Sequence, residues 1–103
     1  MAMSFYNIMK LRLDPILRNV KSKLEAIGSV NTIYWLDTKN RFIEFEIENK
    51  GKGIYSVSLE KVILAPQTNI EIEFDDPMGL IYYKRYGDRN FTKINFQGDE
   101  IKI

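Results

Sequence analysis

The 103-residue chain contains neither cysteine nor histidine. Without cysteine it has no disulfide framework, no thiol nucleophile and no thiolate zinc site. Without histidine it lacks the base of Ser-His and Cys-His relays, the imidazole metal ligand and the one side chain that ordinarily titrates near neutral pH. These absences exclude most covalent catalysis, so we expect a protein that is not an enzyme and that needs no cofactor.

The chain also has little net charge and no long apolar run. Its 15 Lys and Arg residues against 14 Asp and Glu residues leave a formal net charge of +1. Nucleic-acid-binding domains, by contrast, commonly have a pI above about 9. No window reaches the ~18 apolar residues of a membrane span, and the first residues lack the apolar core of a secretory signal. The sequence therefore predicts a cytoplasmic protein with no membrane partner, built as a single domain over residues 1–103.

One helix is indicated near the N-terminus. Asp14 is a favourable N-cap, Pro15 suits the first helical position and Gly28 is a C-terminal stop signal. The apolar residues between them recur at the helical period and form one stripe: Ile16, Leu17, Val20, Leu24 and Ile27. The pattern predicts a helix over about residues 15–27 with one buried face. It leaves open whether residues 5–13 form a short helix before Pro15.

After Gly28 the apolar period changes from 3.6 to 2, which is typical of strands with one buried and one exposed face. Strand-like runs separated by turn residues cover 30–36, 43–48, 54–64, 70–75, 80–86, 91–96 and 101–103. No gap between them is long enough for a crossover helix, so the sheet is expected to be antiparallel. The predicted fold class is α+β, an N-terminal helix followed by an antiparallel meander of six or seven strands. Whether the sheet stays open beneath the helix or curls into a small barrel is left open.

Two of the predicted strands alternate apolar and acidic residues. Glu44, Glu46 and Glu48 share one face of the first, and Glu71, Glu73 and Asp75 share one face of the second. If the two strands were neighbours, their carboxylates would converge and could hold a hard cation such as Mg²⁺. If they instead pair with strands that carry lysines, they form an ordinary solvated face, which is what alternation alone predicts.

Part of the acidic pattern resembles the PD-(D/E)xK nucleases, which place an Asp at the end of one strand and a Glu-x-Lys on the next, often after a helix Glu. Asp37, Glu48-Asn49-Lys50 and Glu25 stand in the corresponding places here. The resemblance implies a Mg²⁺ site at Asp37 and Glu48 and phosphodiester hydrolysis. The chain departs from the pattern because Lys50 falls in a turn and no helix follows the Glu-x-Lys segment.

A basic and aromatic segment follows at residues 82–93. Its interleaved rings and cations supply stacking faces and phosphate partners for single-stranded nucleic acid. The candidate contacts are Tyr82, Lys84, Arg85, Tyr86, Arg89 and Lys93. The competing interpretation is a half-buried strand whose tyrosine rings cover the core while their hydroxyls reach water.

The last third of the chain is similar to the Sm-like RNA-binding family in two short stretches, residues 74–80 (Phe-Asp-Asp-Pro-Met-Gly-Leu) and 96–101 (Phe-Gln-Gly-Asp-Glu-Ile). That family implies a small, strongly bent antiparallel barrel with an N-terminal helix, assembled into rings. Gly79 stands where the family has the base-contacting Asn, and Gln97 stands where it has an Arg. The resemblance therefore bears on the small barrel and not on RNA contacts.

The features above favour a non-enzymatic interaction module that binds a protein partner or a second copy of itself. An open meander leaves edge strands, and the C-terminal Ile101 and Ile103 would pair across the two-fold axis of a homodimer. Binding of single-stranded RNA or DNA is the first alternative, and Mg²⁺-dependent nuclease action is the second. The abundance of isoleucine, lysine and asparagine is typical of AT-rich microbial, phage and viral genomes, in which small accessory binding proteins are common.

Overall fold

The computed structural model describes residues 14–102, which form one helix and one seven-stranded sheet. Helix α1 spans Pro15–Leu24. The strands are β1 (Val30–Asp37), β2 (Phe42–Ile47), β3 (Gly51–Ser56), β4 (Lys61–Ile63), β5 (Ile70–Asp75), β6 (Leu80–Arg85) and β7 (Thr92–Asn95). The expectations for residues 5–13 and for Ile103 lie outside the described residues.

The start of α1 is fixed by its N-cap, as predicted. The Asp14 Oδ1 atom accepts the backbone N–H groups of Ile16 at 2.9 Å and of Leu17 at 3.4 Å. Pro15 occupies the first turn, where its missing N–H group costs nothing. Two otherwise unpaired donors at the helix start are thereby satisfied.

The α-helix ends at Leu24, three residues earlier than the predicted end at Ile27. Beyond that point the N–H group of Ala26 donates to the Lys23 carbonyl, and that of Ile27 donates to the Leu24 carbonyl. This three-residue spacing is the tighter turn that often closes a helix. Ile27 still reaches the core, so the predicted apolar stripe is right although the helix is shorter.

The seven strands pair in chain order from β1 to β7, and every neighbouring pair is antiparallel. The predicted antiparallel meander is therefore confirmed. The sheet does not close into a barrel, because β1 and β7 lie at its two edges and are not paired with each other. The strands of residues 14–102 therefore do not form the barrel that the Sm-like stretches implied.

Three predicted boundaries change. The run 54–64 is two strands, because the chain turns between Ser56 and Lys61 with Glu60 at φ +55°. The turn predicted at 49–53 is shorter, since β3 already begins at Gly51. The last predicted strand, 101–103, is not a strand at its described residues.

One face of the sheet packs against α1 and builds the core. The buried apolar cluster consists of Leu17, Val20, Leu24, Ile27, Ile33, Ile43, Phe45, Ile47, Tyr55, Val62, Ile70, Ile72, Phe74, Ile81 and Ile94. Each strand contributes at least one of these side chains, and they alternate with polar residues along β2 and β5. We call this side the core face and the opposite side of the sheet the outer face.

Tyr55 is the buried tyrosine of this cluster, with its ring centroid 5.1 Å from that of Phe74. Burial raises the pKa of Tyr55, and the negative charges of Glu60 and Asp76 raise it further. The native state therefore holds the phenol proton more tightly than the unfolded chain, in which tyrosine ionises near pH 10. This stabilisation is fully present below about pH 10 and is lost as the pH rises through the native pKa.

We predict that the free energy of unfolding falls more steeply above about pH 10 in the wild type than in Tyr55→Phe. Denaturant titrations of both proteins between pH 8 and pH 11 measure this difference. The Tyr55→Phe variant retains the ring and removes only the ionisable hydroxyl. Parallel pH profiles for the two proteins would show that Tyr55 ionises equally well in the folded and unfolded chains.

Candidate binding surface at the sheet edge

The two acidic strands are not neighbours, because β3 and β4 lie between β2 and β5. On the outer face Glu71 is opposite Lys84, and Glu73 lies between Lys61 on one side and Tyr82 on the other. The carboxylates of β5 thus lie beside lysines of the neighbouring strands, which is the ordinary solvated face predicted from the sequence as one alternative. Within residues 14–102 there is no group of three or more Asp and Glu residues placed to hold a metal ion.

Asp37 and Glu48 are not brought together. Asp37 ends β1 opposite Phe42, the first residue of β2, whereas Glu48 follows the last residue of that strand. Six residue steps along a strand separate them by about 20 Å. The nuclease resemblance therefore lacks the shared site that Mg²⁺ would need.

The Asp37 carboxylate is occupied by its own turn. Its Oδ1 atom accepts the N–H groups of Lys39 at 2.9 Å and Asn40 at 3.2 Å, and its Oδ2 atom accepts the Asn40 side-chain amide at 2.6 Å. These bonds, chiefly those from Asn40, hold the pKa of Asp37 below its ordinary value. Asp37 closes the β1–β2 hairpin as an Asx turn.

The residues of the basic and aromatic segment do not form one continuous surface: some lie on the outer face and others lie in the β6–β7 connection. On the outer face the Lys93 Nζ atom lies 5.9 Å from the Tyr82 ring centroid, and the Lys84 Nζ atom lies 5.4 Å from that of Phe91. Both lysines therefore lie over aromatic rings of their own chain. Tyr86 and Arg89 follow β6 in the exposed β6–β7 connection, and the Tyr86 side chain is 93% exposed.

A cleft of about 260 Å³ runs beside the end of β6. Its walls include Leu64, Glu71, Lys84, Arg85, Tyr86 and Asp88. Lys84 faces Glu71 across the strand pair, and the Arg85 Nε atom lies 3.7 Å from the Asp88 carboxylate. The two cations are thus balanced by two carboxylates, and the cleft does not have the positive lining that a phosphate backbone requires.

The two edges of the sheet differ. The β7 edge is short, four residues, and the chain folds back along it. The N–H group of Asn95 donates to the Asp99 carbonyl at 2.9 Å, and that of Ile101 donates to the Lys93 carbonyl at 2.8 Å. Ile101 therefore lies beside β7 of its own chain, and its predicted contact with a second copy stays a prediction, as does that of Ile103.

The β1 edge is long and uncovered within the part of the chain that the structure describes. It has eight residues, of which only Asp37 at its end is charged. Among residues 14–102, β1 pairs with β2 alone, and none of its backbone groups bonds to another segment. Such an edge presents a row of unpaired donors and acceptors that can template another strand.

Side chains on β1 alternate between the two faces of the sheet. Ile33 is buried and Trp35 packs against the core, whereas Thr32 and Tyr34 lie opposite Glu46 and Glu44 on the outer face. The Trp35 Nε1–H group donates to the Asp14 carboxylate, which ties β1 to the start of α1.

Comparisons with known proteins add no relative. No protein-family model matches the chain, and no curated protein or solved structure matches it either. The only helix among residues 14–102 is too short and too polar to cross a membrane.

Proposed function

We propose that this protein is a non-enzymatic interaction module that binds a protein partner by adding a strand of that partner to the open edge of β1. The observation that supports it is the contrast between the edges, one folded over by its own chain and the other long and nearly uncharged. Natural proteins commonly protect exposed edges with charges, proline, bulges or short strands. The β1 strand has one charge and no proline, and its pairing with β2 is irregular only near its two ends, so residues 32–35 remain an open regular edge.

Strand addition suits the chemistry that β1 presents. Main-chain hydrogen bonds supply affinity, and alternating side chains supply specificity. A partner residue beside Trp35 and Ile33 would extend the core face, whereas one beside Tyr34 would lie on the outer face. The partner segment is therefore expected to be extended and to alternate apolar with polar residues.

A photo-reactive benzoylphenylalanine placed at position 34 tests this proposal. We expect it to form adducts with a backbone segment of another protein molecule, identified by peptide mass spectrometry. Benzoylphenylalanine at position 86 is the control, because Tyr86 is also aromatic and is 93% exposed. It should give far fewer specific adducts. Adducts from position 34 that join it to residues 1–13 of the same molecule would show a self-covered edge and contradict the proposal. The absence of any adduct from position 34 would do the same.

Single-stranded nucleic acid is the second candidate partner, favoured by the exposed Tyr86 beside Lys84 and Arg85. Because Glu71 and Asp88 balance these cations, we expect oligonucleotides to bind more weakly than about 10⁻⁴ M at physiological salt, the weak limit of non-specific binding. Fluorescence anisotropy with labelled DNA and RNA oligonucleotides measures this affinity. Micromolar binding that falls with salt and is lost in Lys84→Glu and Arg85→Glu would instead favour nucleic acid.

A further inference from the structure

We infer that the strand added at β1 is β1 of a second copy of this chain, paired antiparallel about a two-fold axis that passes through Tyr34. This inference rests on the proposed strand addition at β1 and goes further by naming the partner and the register. A two-fold arrangement of identical edges closes on itself and leaves no further open edge at β1.

The bulges of β1 restrict the possible registers. The pairing of β1 with β2 shifts between Val30 and Thr32 and again between Trp35 and Asp37, so only 32–35 is regular strand. Side chains directly opposite each other in an antiparallel pair share a face. A two-fold axis between two neighbouring residues would place a core-face residue opposite an outer-face residue. The axis must therefore pass through a residue of this segment if core-face residues are to lie opposite each other.

Centring the axis on Tyr34 gives both core-face residues of this segment an apolar partner. It places Ile33 of each copy opposite Trp35 of the other on the core face, and the two Tyr34 rings side by side on the outer face. Centring on Ile33 would instead put Trp35 opposite Asn31, and centring on Trp35 would put Ile33 opposite Asp37, so each leaves a core-face residue beside a polar one.

Charge at the ends of the strand is compatible with the same arrangement. Antiparallel pairing places the β1–β2 turn of one copy, with the exposed Lys39 and Arg41, beside the beginning of β1 in the other. Exposed Glu48 lies there, since its N–H group donates to the Ser29 carbonyl at 2.8 Å. Lys50 lies at the same end, and Asp37 lies in the turn, so each end also carries one charge of the opposite sign. The two exposed cations of one copy thus lie roughly two strand spacings, about 10 Å, from Glu48 of the other, so the attraction between them is weak.

Cysteine cross-linking of the full chain tests the register, because the natural sequence supplies no competing thiol. In the Tyr34→Cys variant the new side chains face each other across the axis, at a Cα separation of about 5 Å that a disulfide spans. In Thr32→Cys the two cysteines lie four residues apart, about 13 Å, and cannot bridge. We expect mild oxidation to convert Tyr34→Cys to a covalent dimer and to leave Thr32→Cys monomeric on a non-reducing gel. The opposite pattern, or no cross-link in either, would overturn the register.

Light scattering coupled to size exclusion tests the second copy itself. We expect a dimer that dissociates on dilution, with a dissociation constant raised by about tenfold or more in Tyr34→Lys, where two like charges face each other. Tyr86→Lys carries the same substitution far from β1 and should dimerise like the wild type. Circular dichroism confirms that both variants are folded, and the Cys variants address the same contact without adding charge. A strict monomer at high concentration would overturn the inference. The broader proposal would still stand if benzoylphenylalanine at position 34 captured a different protein.

Discussion

Replacing Gly53 with alanine should lower the free energy of unfolding by about 3 kcal/mol, the upper end of what overpacking a core costs. An added Cβ at this position would lie 2.6 Å from Cζ and 2.9 Å from Cε2 of Phe45, and 3.3 Å from Cγ1 of Val62. The Phe45 ring is fully buried and crosses to the backbone of its register partner Gly53, so it has no free space to move into. Urea denaturation of the wild type and of Gly53→Ala measures the loss.

Two variants separate the clash from a general intolerance of glycine substitution. Gly79→Ala has no atom within 4 Å of its new Cβ and bears only the cost of φ +68°, about 1 kcal/mol. Phe45→Leu shortens the opposing ring, so adding it to Gly53→Ala should cost less than the sum of the two single changes. A Gly53→Ala protein as stable as the wild type, or strict additivity with Phe45→Leu, would mean that the ring does not occupy this space.

Removing the Asp14 carboxylate should be the second largest loss, about 2–3 kcal/mol in Asp14→Ala. One oxygen caps α1 through Ile16 and Leu17, a contribution of about 1 kcal/mol. The other accepts the Trp35 indole N–H group, and hydrogen bonds to charged groups contribute about 1.5–3 kcal/mol. The same side chain therefore joins the helix to the edge strand, and its loss affects both elements.

Asp14→Ser distinguishes the two roles, because serine is also a favourable N-cap but is too short to keep both partners. We expect Asp14→Ser to recover about the 1 kcal/mol of the cap and no more. The Trp35 fluorescence spectrum should change alike in the Ser and Ala variants, since both lose the indole contact. If Asp14→Ser were as stable as the wild type with an unchanged spectrum, the Trp35 hydrogen bond would contribute nothing.

Local signals in the sequence were sufficient to place most of the elements. Asp14 and Pro15 mark a helix start because capping chemistry depends on neighbouring residues only. Alternation marks β2 and β5 because the side-chain period of a strand is independent of its neighbours. The short gaps between strands then imply hairpins, and hairpins in succession imply the meander.

Features that depend on tertiary contacts were harder to predict from the sequence. Val57 and Leu59 continue the alternation of β3, so the turn after Ser56 is hidden in the apolar pattern, although Leu59 is 61% exposed. The one local signal is Ser56, whose Oγ atom accepts the Leu59 N–H group at 3.3 Å. Closure of the sheet depends on whether β1 and β7 meet after all seven strands have twisted, and no local pattern encodes that.

The candidate site shows the same division. The acidic and the basic-aromatic segments are candidate sites in the sequence because of their charge, yet the fold places Glu71 beside Lys84, so the two charges balance each other. The β1 edge was missed because its signal is an absence, eight residues with a single charge. The lack of charge indicates a binding edge only when it is known that β1 lies at an edge of the sheet and that the residues after β7 cover the other edge.

Amide hydrogen exchange along β1 is the most direct test of pairing at this edge. It is measured on the full chain at concentrations above and below the dissociation constant of the dimer. We expect the β1 amides that point away from β2 to exchange slowly in concentrated protein and quickly in dilute protein. The amides of Asn95 and Ile101 donate within the chain, and they should exchange at the same rate in both. Exchange along β1 that is independent of concentration, whether fast or slow, would contradict a second copy bound at this edge.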